Sequence, residues 1–175
     1  TQAEVLKDKY NLVHISTGDV FRFNMKNDTE LGILAKSYIE KGQLVPDEVT
    51  INMLEAEVDK NSEANGFIFD GFPRTGSQAA ALDTFLAKKD AGINGMIALE
   101  VDEQELKNRL TERAKTSGRA DDADPVVIQK RIDTYNTETA PVKGYYEKQD
   151  KYYGINGVGS IEGITALIST VIDSL

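Results

Sequence analysis

The chain has 175 residues, 40% of them hydrophobic and 28% charged, enough for one good buried core. Its formal net charge of −9 argues against general nucleic-acid binding. Cys is absent, which excludes disulfides and thiolate metal sites, and no apolar run is long enough to span a bilayer.

The opening TQAEVLKDKY repeats Ala3, Leu6 and Tyr10 at helical spacing, with no capping Ser, Asp or Asn before the run. It reads as a helix entered partway along. NLVHIS is short and β-branched and predicts a strand ending near Ser16. DVFRFNMKN and ELGILAKSYIEKG predict two helices, the second closed by Gly42. LVPDEVTINMLEAEVDK predicts a helix after an extended Val45-Pro46, with Asp47 in its first turn. GFIFD is a buried strand, GSQAAALDTFLAKKDAG a helix closed at Gly92, and GMIALEV another strand. DEQELKNRLTERA predicts a helix and KTSGRADDAD a loop. Asp124 and Pro125 then start a helix expected to run to about Lys148, strained in its middle by Pro141. YYGING reads as the last strand, and Ser160 caps a final helix.

This alternation predicts an α/β fold with a parallel sheet covered by helices on both faces. Asp19 to Gly42 holds two helices with no strand between them, and so reads as a helical insertion. In such sheets ligands bind beyond the carboxyl ends of strands, here HISTGDVFR, FIFDGFPR and ALEVDE. Arginine is scarce: Arg22, Arg74, Arg109, Arg113, Arg119 and Arg131 are the only six, against fourteen Lys. The guanidinium fork suits phosphate, while Lys is the commoner solvated charge.

Within FIFDGFPR, Asp70 ends a strand where a carboxylate can hold a hydrated Mg²⁺, Gly71 admits close backbone approach, and Arg74 can reach a phosphate. A bland alternative is that Asp70 caps the next helix. Asp19 and Arg22 fall three apart on a first helical turn and can pair. Arg109 and Arg113 share a helix face, where like charges call for an anion or an acidic partner. Ser117-Gly118-Arg119 reads as a loop able to close over a phosphate, and Arg131 can face the same place. His14, the single His, reads as structural, and the tyrosines at 145, 146, 152 and 153 as packing.

Taken in order, ISTGDVFR, KGQLVPDE, GFIFDGFPRTGSQA, SGRADD, KRIDTYNTETAPVKGYY and the opening TQA resemble the adenylate kinases of the nucleoside monophosphate kinase family, over essentially the whole chain. The resemblance implies a P-loop-kinase-type fold and Mg-dependent, reversible transfer of a phosphoryl group from ATP to AMP, giving two ADP. It also implies a cytoplasmic monomer serving adenine nucleotide homeostasis, with no nucleic-acid or membrane partner. The core would comprise 1–15, 46–112 and 126–175, the AMP-binding segment 16–45, and a short lid 113–125.

By the same resemblance AMP would meet Thr17, Arg22, Gln43, Leu44, Val45, Gly71, Phe72, Pro73, Arg74, Gln78, Arg119 and Arg131, with Gln78 on the adenine. ATP would meet Thr1, Arg109, Arg113 and Gly154. Arg74, Arg109, Arg113, Arg119, Arg131 and Asp121 would be catalytic, Asp121 and Asp122 positioning the lid arginines, and Asp70 would hold Mg²⁺ through water. Two departures stand out. The spacing from Asp122 to Arg131 is one residue longer than in short-lid members. The family's glycine-rich phosphate loop, its Lys and the first central strand, about fifteen residues, are expected upstream of Thr1. The 175 residues alone are therefore expected to be inactive. The competing readings are a pyrimidine monophosphate kinase, which Thr17 and Gln78 oppose, and an inactive, truncated or engineered nucleotide-binding form.

Overall fold

The computed structural model describes residues 1–175, the side chain of Ala120 excepted. In chain order it comprises α1 (Gln2–Tyr10), β1 (Val13–Ser16), α2 (Thr17–Lys26), α3 (Glu30–Ile39), α4 (Asp47–Lys60), β2 (Phe67–Asp70), α5 (Gly76–Ala87) and β3 (Met96–Glu100). Then follow α6 (Glu103–Ser117), a 3₁₀ turn (Ala120–Asp122), α7 (Pro125–Thr134), a π turn (Tyr135–Thr139), α8 (Val142–Glu147), β4 (Tyr152–Asn156) and α9 (Ile161–Ile172).

All strand pairing is parallel, as the β-α alternation predicts. It forms two ladders, β1–β2 and β3–β4. The registers run Val13↔Phe67 to Ser16↔Asp70 and Met96↔Tyr152 to Glu100↔Asn156, so strands within each pair end together. β2 and β3 both border one cavity of about 2280 Å³.

Side chains alternate across the strands, as the pleat requires. Val13, Ile15, Phe67 and Phe69 join Leu54, Val58, Leu82, Phe85 and Leu86 of α4 and α5 in one core. Ile68 and Ile97 join Leu6 of α1, Ile155, and Ile164 and Ile168 of α9 in another. Each fully buried Leu or Ile contributes roughly 1.5–3 kcal/mol. The helical insertion has a core of its own, Phe21, Ala35, Val45 and Met53.

Three boundaries differ from the sequence reading. α5, expected to close at Gly92, ends at Ala87, and residues 88–90 form a turn in which Asp90 takes the left-handed conformation at φ +54°. Residues 115–117, read as loop, extend α6, which stops where Gly118 takes the left-handed conformation at φ +63°. The long helix from Pro125 breaks into three pieces. Pro141 has no N–H to continue the ladder, and just before it the Ala140 N–H reaches back five residues to the Tyr135 carbonyl at 2.8 Å, a π turn.

Candidate active site

The first wall is built where strands end and helices begin. Ser16 closes β1 and caps α2, its Oγ accepting from the Asp19 N–H at 3.3 Å. Parallel register sets Ser16 beside Asp70, so the turns after β1 and β2 meet. There the Gly71 carbonyl accepts from Thr17 Oγ1 at 3.1 Å and from Arg74 Nε at 2.8 Å. One carbonyl thus orients two of the expected site residues. Gly71 has φ +73°, and a Cβ on it would stand 2.7 Å from an Arg74 guanidinium nitrogen. The left-handed backbone therefore favours glycine, and a Cβ there would push the Arg74 guanidinium aside. Gln78, on the first turn of α5, accepts from the Arg74 N–H at 2.7 Å. Phe72 is buried in the core, so its backbone is what it can offer a ligand, and Pro73 is half-buried.

The second wall is charged. Arg22 pairs with Asp19 at 2.5 Å, and Arg119 reaches the same carboxylate at 3.4 Å, tying α2 to the loop after α6. Asp122, its side chain fully buried, accepts from Arg113 at 2.6 and 2.9 Å and from Arg131 at 2.5 Å. Arg131 also meets Asp121 at 2.9 Å. Burial alone would raise the Asp122 carboxyl, but hydrogen bonds from Arg113 and Arg131 hold it below its ordinary value. Asp19 is held down in the same way, burial being outweighed by Arg22, Ser16 and Arg119. The Asp122 hydrogen bond raises Arg113.

Arg74 and Arg119 go the other way. Burial lowers Arg74, and Arg131 and Arg22 add repulsion against the weaker pull of Asp70 and Asp121. Burial, then Arg22 and Arg113, lowers Arg119. These guanidinium groups stay protonated at neutral pH. Their crowding is an electrostatic cost that a polyanion would relieve.

Arg109 is held apart from this cluster. It pairs with Glu105 at 2.7 Å and donates to the Gly157 carbonyl at 2.9 Å. Gly154 is not brought there. It lies within β4 opposite Ala98, its Cα beside the Glu100 carboxylate. Gln43 is exposed, Leu44 half-buried and Val45 buried, on a segment anchored by a 3.1 Å hydrogen bond from Thr134 Oγ1 to the Gly42 carbonyl. Thr1 starts α1 without a side-chain capping bond. The 2280 Å³ cavity is bordered by Thr1, Thr17, Arg22, Gln43, Val45, Gly71, Arg74, Gln78, Arg109, Arg113 and Arg131.

A family model described as adenylate kinase matches residues 1–151. The chain belongs to the adenylate kinase family. Similar proteins include the adenylate kinases of Flavobacterium psychrophilum, 59% identical, Flavobacterium johnsoniae, 55%, and Bacteroides fragilis, 49%. Each alignment covers all of this chain and 92% of the relative.

Against the family's phosphoryl chemistry, three residues gain meaning that their sequence positions did not give. His14 does not sit among apolar side chains alone: Nδ1 meets Glu4 at 2.9 Å and Nε2 meets Asp70 at 3.1 Å. It thereby ties α1 to the end of β2 and steadies one oxygen of the Asp70 carboxylate. Asp47 contacts Thr75, Ser77 and Gln78. Gly157 supplies the carbonyl that steers Arg109. No signal in the sequence marks these links, because each partner lies ten or more residues away.

Among the described residues no group of three or more His, Asp or Glu forms a metal cage. Asp70 is a single, half-exposed carboxylate at a strand end. That donor set fits an ion that keeps most of its water and arrives on phosphates, the ordinary habit of Mg²⁺.

Proposed function

We propose that this family member, a nucleotide phosphotransferase, transfers the terminal phosphoryl group of MgATP to AMP, reversibly, giving two ADP. The observation that carries the reading is the convergence of Arg22, Arg74, Arg113 and Arg131 on one cavity beside Thr17 and Gln78. An AMP phosphate oxygen would attack the terminal phosphorus of ATP, the bond to the bridging oxygen would break, and ADP would leave. Such transfer needs alignment and charge neutralisation more than covalent help.

Arg74 and Arg131 would hold the transferring group, Arg22 and Arg119 the AMP phosphate, and Arg109 and Arg113 the ATP phosphates. Thr17, Gly71, Gln78 and the backbone of 43–45 would bind the AMP base and ribose. Mg²⁺ would travel with ATP and be steadied through water by Asp70. The Gly157 segment, rather than Gly154 alone, would receive the ATP base beside Arg109. Segments 16–45 and 113–125 would move over a core of 1–15, 46–112 and 126–175. Their closure would exclude water, which otherwise competes as acceptor. A monomeric state and a cytoplasmic location belong to the same proposal. No helix among the described residues is long and apolar enough to cross a membrane.

A coupled assay of ADP formation in the whole protein tests this reading. AMP should be preferred to UMP and CMP by at least about 10²-fold in kcat/KM, because a pyrimidine leaves Thr17 and Gln78 unpaired. Comparable efficiency with UMP would instead mark a pyrimidine monophosphate kinase.

A further inference from the structure

We infer that Asp47 is a positioning residue that fixes which end of the Gln78 amide faces the acceptor base, and so makes the site read 6-aminopurines over 6-oxopurines. The inference rests on the acceptor reading above and deepens it.

Gln78 is 2% exposed, and both ends of its amide are engaged. Nε2 donates to Asp47 Oδ1 at 2.8 Å, and Oε1 accepts from the Arg74 N–H at 2.7 Å. An amide orientation is decided by its partners, and these two are unambiguous. A carboxylate can only accept, and a backbone N–H can only donate. Turning the amide over would set Nε2–H against the Arg74 N–H and Oε1 against the carboxylate. Each clash leaves a buried polar group unpaired.

Asp47 is itself held. Its other oxygen accepts from Thr75 Oγ1 at 2.9 Å and from Ser77 Oγ. Thr75 caps α5, so the carboxylate is fastened to the same helix start that carries Gln78. It comes from the first turn of α4, directly after the 43–45 segment, and links both sides of the acceptor pocket.

The amide has two donor hydrogens and two acceptor lone pairs. With one of each spent inside the protein, one N–H and one oxygen lone pair remain for a ligand. A 6-aminopurine offers the matching pair, an acceptor at ring nitrogen N1 and a donor at the exocyclic amine. A 6-oxopurine offers the reverse, a donor at N1–H and an acceptor at O6. It would meet the fixed amide donor to donor and acceptor to acceptor. The discrimination is thus set by a carboxylate that touches no base.

The test compares AMP and IMP as acceptors in the whole protein. Asp47→Asn keeps the size and hydroxyl contacts but can pair with either amide orientation, leaving the Arg74 N–H as the sole restraint. The AMP-to-IMP ratio of kcat/KM should fall at least about tenfold in Asp47→Asn, with most of the change coming from a gain on IMP. In Ser77→Ala, which removes a contact to Asp47 but leaves the amide bond, the ratio should hold within about twofold. An unchanged ratio in a folded Asp47→Asn protein overturns the inference while leaving the acceptor reading intact. A wild-type protein inert toward AMP removes both.

Should Asp47→Asn fail to fold, the wild-type protein answers directly by nuclear Overhauser contacts with AMP bound. The Gln78 side-chain N–H should lie near the Asp47 methylene protons. A strong contact from it to the Arg74 amide proton would mean the opposite orientation and overturn the inference.

Discussion

The turn after β2 and the loop after α6 both position arginines, and they do it by opposite means. At the turn, Arg74 is oriented by a carbonyl, that of Gly71, and no carboxylate pairs with it among the described residues. Its charge is directed but not neutralised, in a place where burial and Arg131 already disfavour it. At the loop, Arg113 and Arg131 are oriented by Asp122 and Asp121, and much of their charge is compensated before any ligand arrives. A carbonyl-held arginine keeps its full attraction for a phosphate. A carboxylate-held pair is stable without ligand and is better suited to being placed than to providing the first capture. The molecule thus separates arginine charge that is left uncompensated from arginine charge that is already paired.

The largest effect should come from breaking the carbonyl-held side. Arg74→Ala is expected to lower turnover by at least about 10²-fold, the scale of losing a transition-state charge contact. Its melting temperature should not fall, because removing Arg74 also relieves repulsion with Arg131 and Arg22. Near-normal ADP production by the variant would remove Arg74 from the site. On the same side, Gly71→Ala should reduce turnover by about tenfold or more, since its Cβ displaces the Arg74 guanidinium. It should also cost about 1 kcal/mol for a left-handed backbone. Loss of stability without loss of turnover would show that the close approach does not matter.

The carboxylate-held side should fail differently, in stability first. Asp122→Asn removes the buried charge shared by Arg113 and Arg131 and should cost about 2 kcal/mol, less than a fully enclosed pair because both arginines are partly exposed. The pH dependence follows from the lowered Asp122 carboxyl. A carboxyl lower in the folded than in the unfolded chain stabilises above the unfolded value, about 3.9. That contribution is lost as pH falls through the folded value. Denaturant unfolding of wild type and Asp122→Asn should therefore differ by a constant amount from about pH 5 to 8. The difference should shrink below about pH 4. A gap that persists undiminished at pH 2 would mean that ionisation of Asp122 is not what holds the two arginines.

Local chemistry explains what could be read from the sequence. Asp124 and Ser160 cap α7 and α9 through N–H groups two and three residues away, and Asp19 pairs with Arg22 one turn on. Each of these is decided within a turn of helix, so the string of residues suffices. The strand ends that gather Ser16, Asp70 and Arg74 were legible because parallel strands must place their carboxyl ends together. From sequence alone Asp47 is an acid complementing a helix start. Its bond to a glutamine thirty-one residues away depends on how α4 packs beside α5, which no local pattern encodes. The partners of His14 are hidden for a related reason: its apolar sequence neighbours alternate onto the opposite face of β1, while its ring faces α1. The resemblance implies an ATP contact at Gly154, and the carbonyl that Arg109 finds belongs to Gly157, three residues on.

The mildest test is Arg109, which uses both devices at once. It pairs with Glu105 one helical turn back, and both side chains are partly exposed. Such an i,i+4 pair contributes only about 0.3–0.5 kcal/mol, and salt screens it further. The second partner is the carbonyl of Gly157, a residue fixed just past the end of β4 by its own N–H, which donates to the Glu100 carbonyl at 2.8 Å. If the rigid carbonyl is what aims the guanidinium, Glu105→Gln should change the KM for ATP by less than about twofold and stability by no more than about 0.5 kcal/mol. Should Glu105→Gln instead raise the KM for ATP about fivefold or more with no change in stability, the carboxylate would be the positioning partner. Arg109 would then belong with Arg113 and Arg131, and the distinction between carbonyl-held and carboxylate-held arginines would shrink to Arg74 alone.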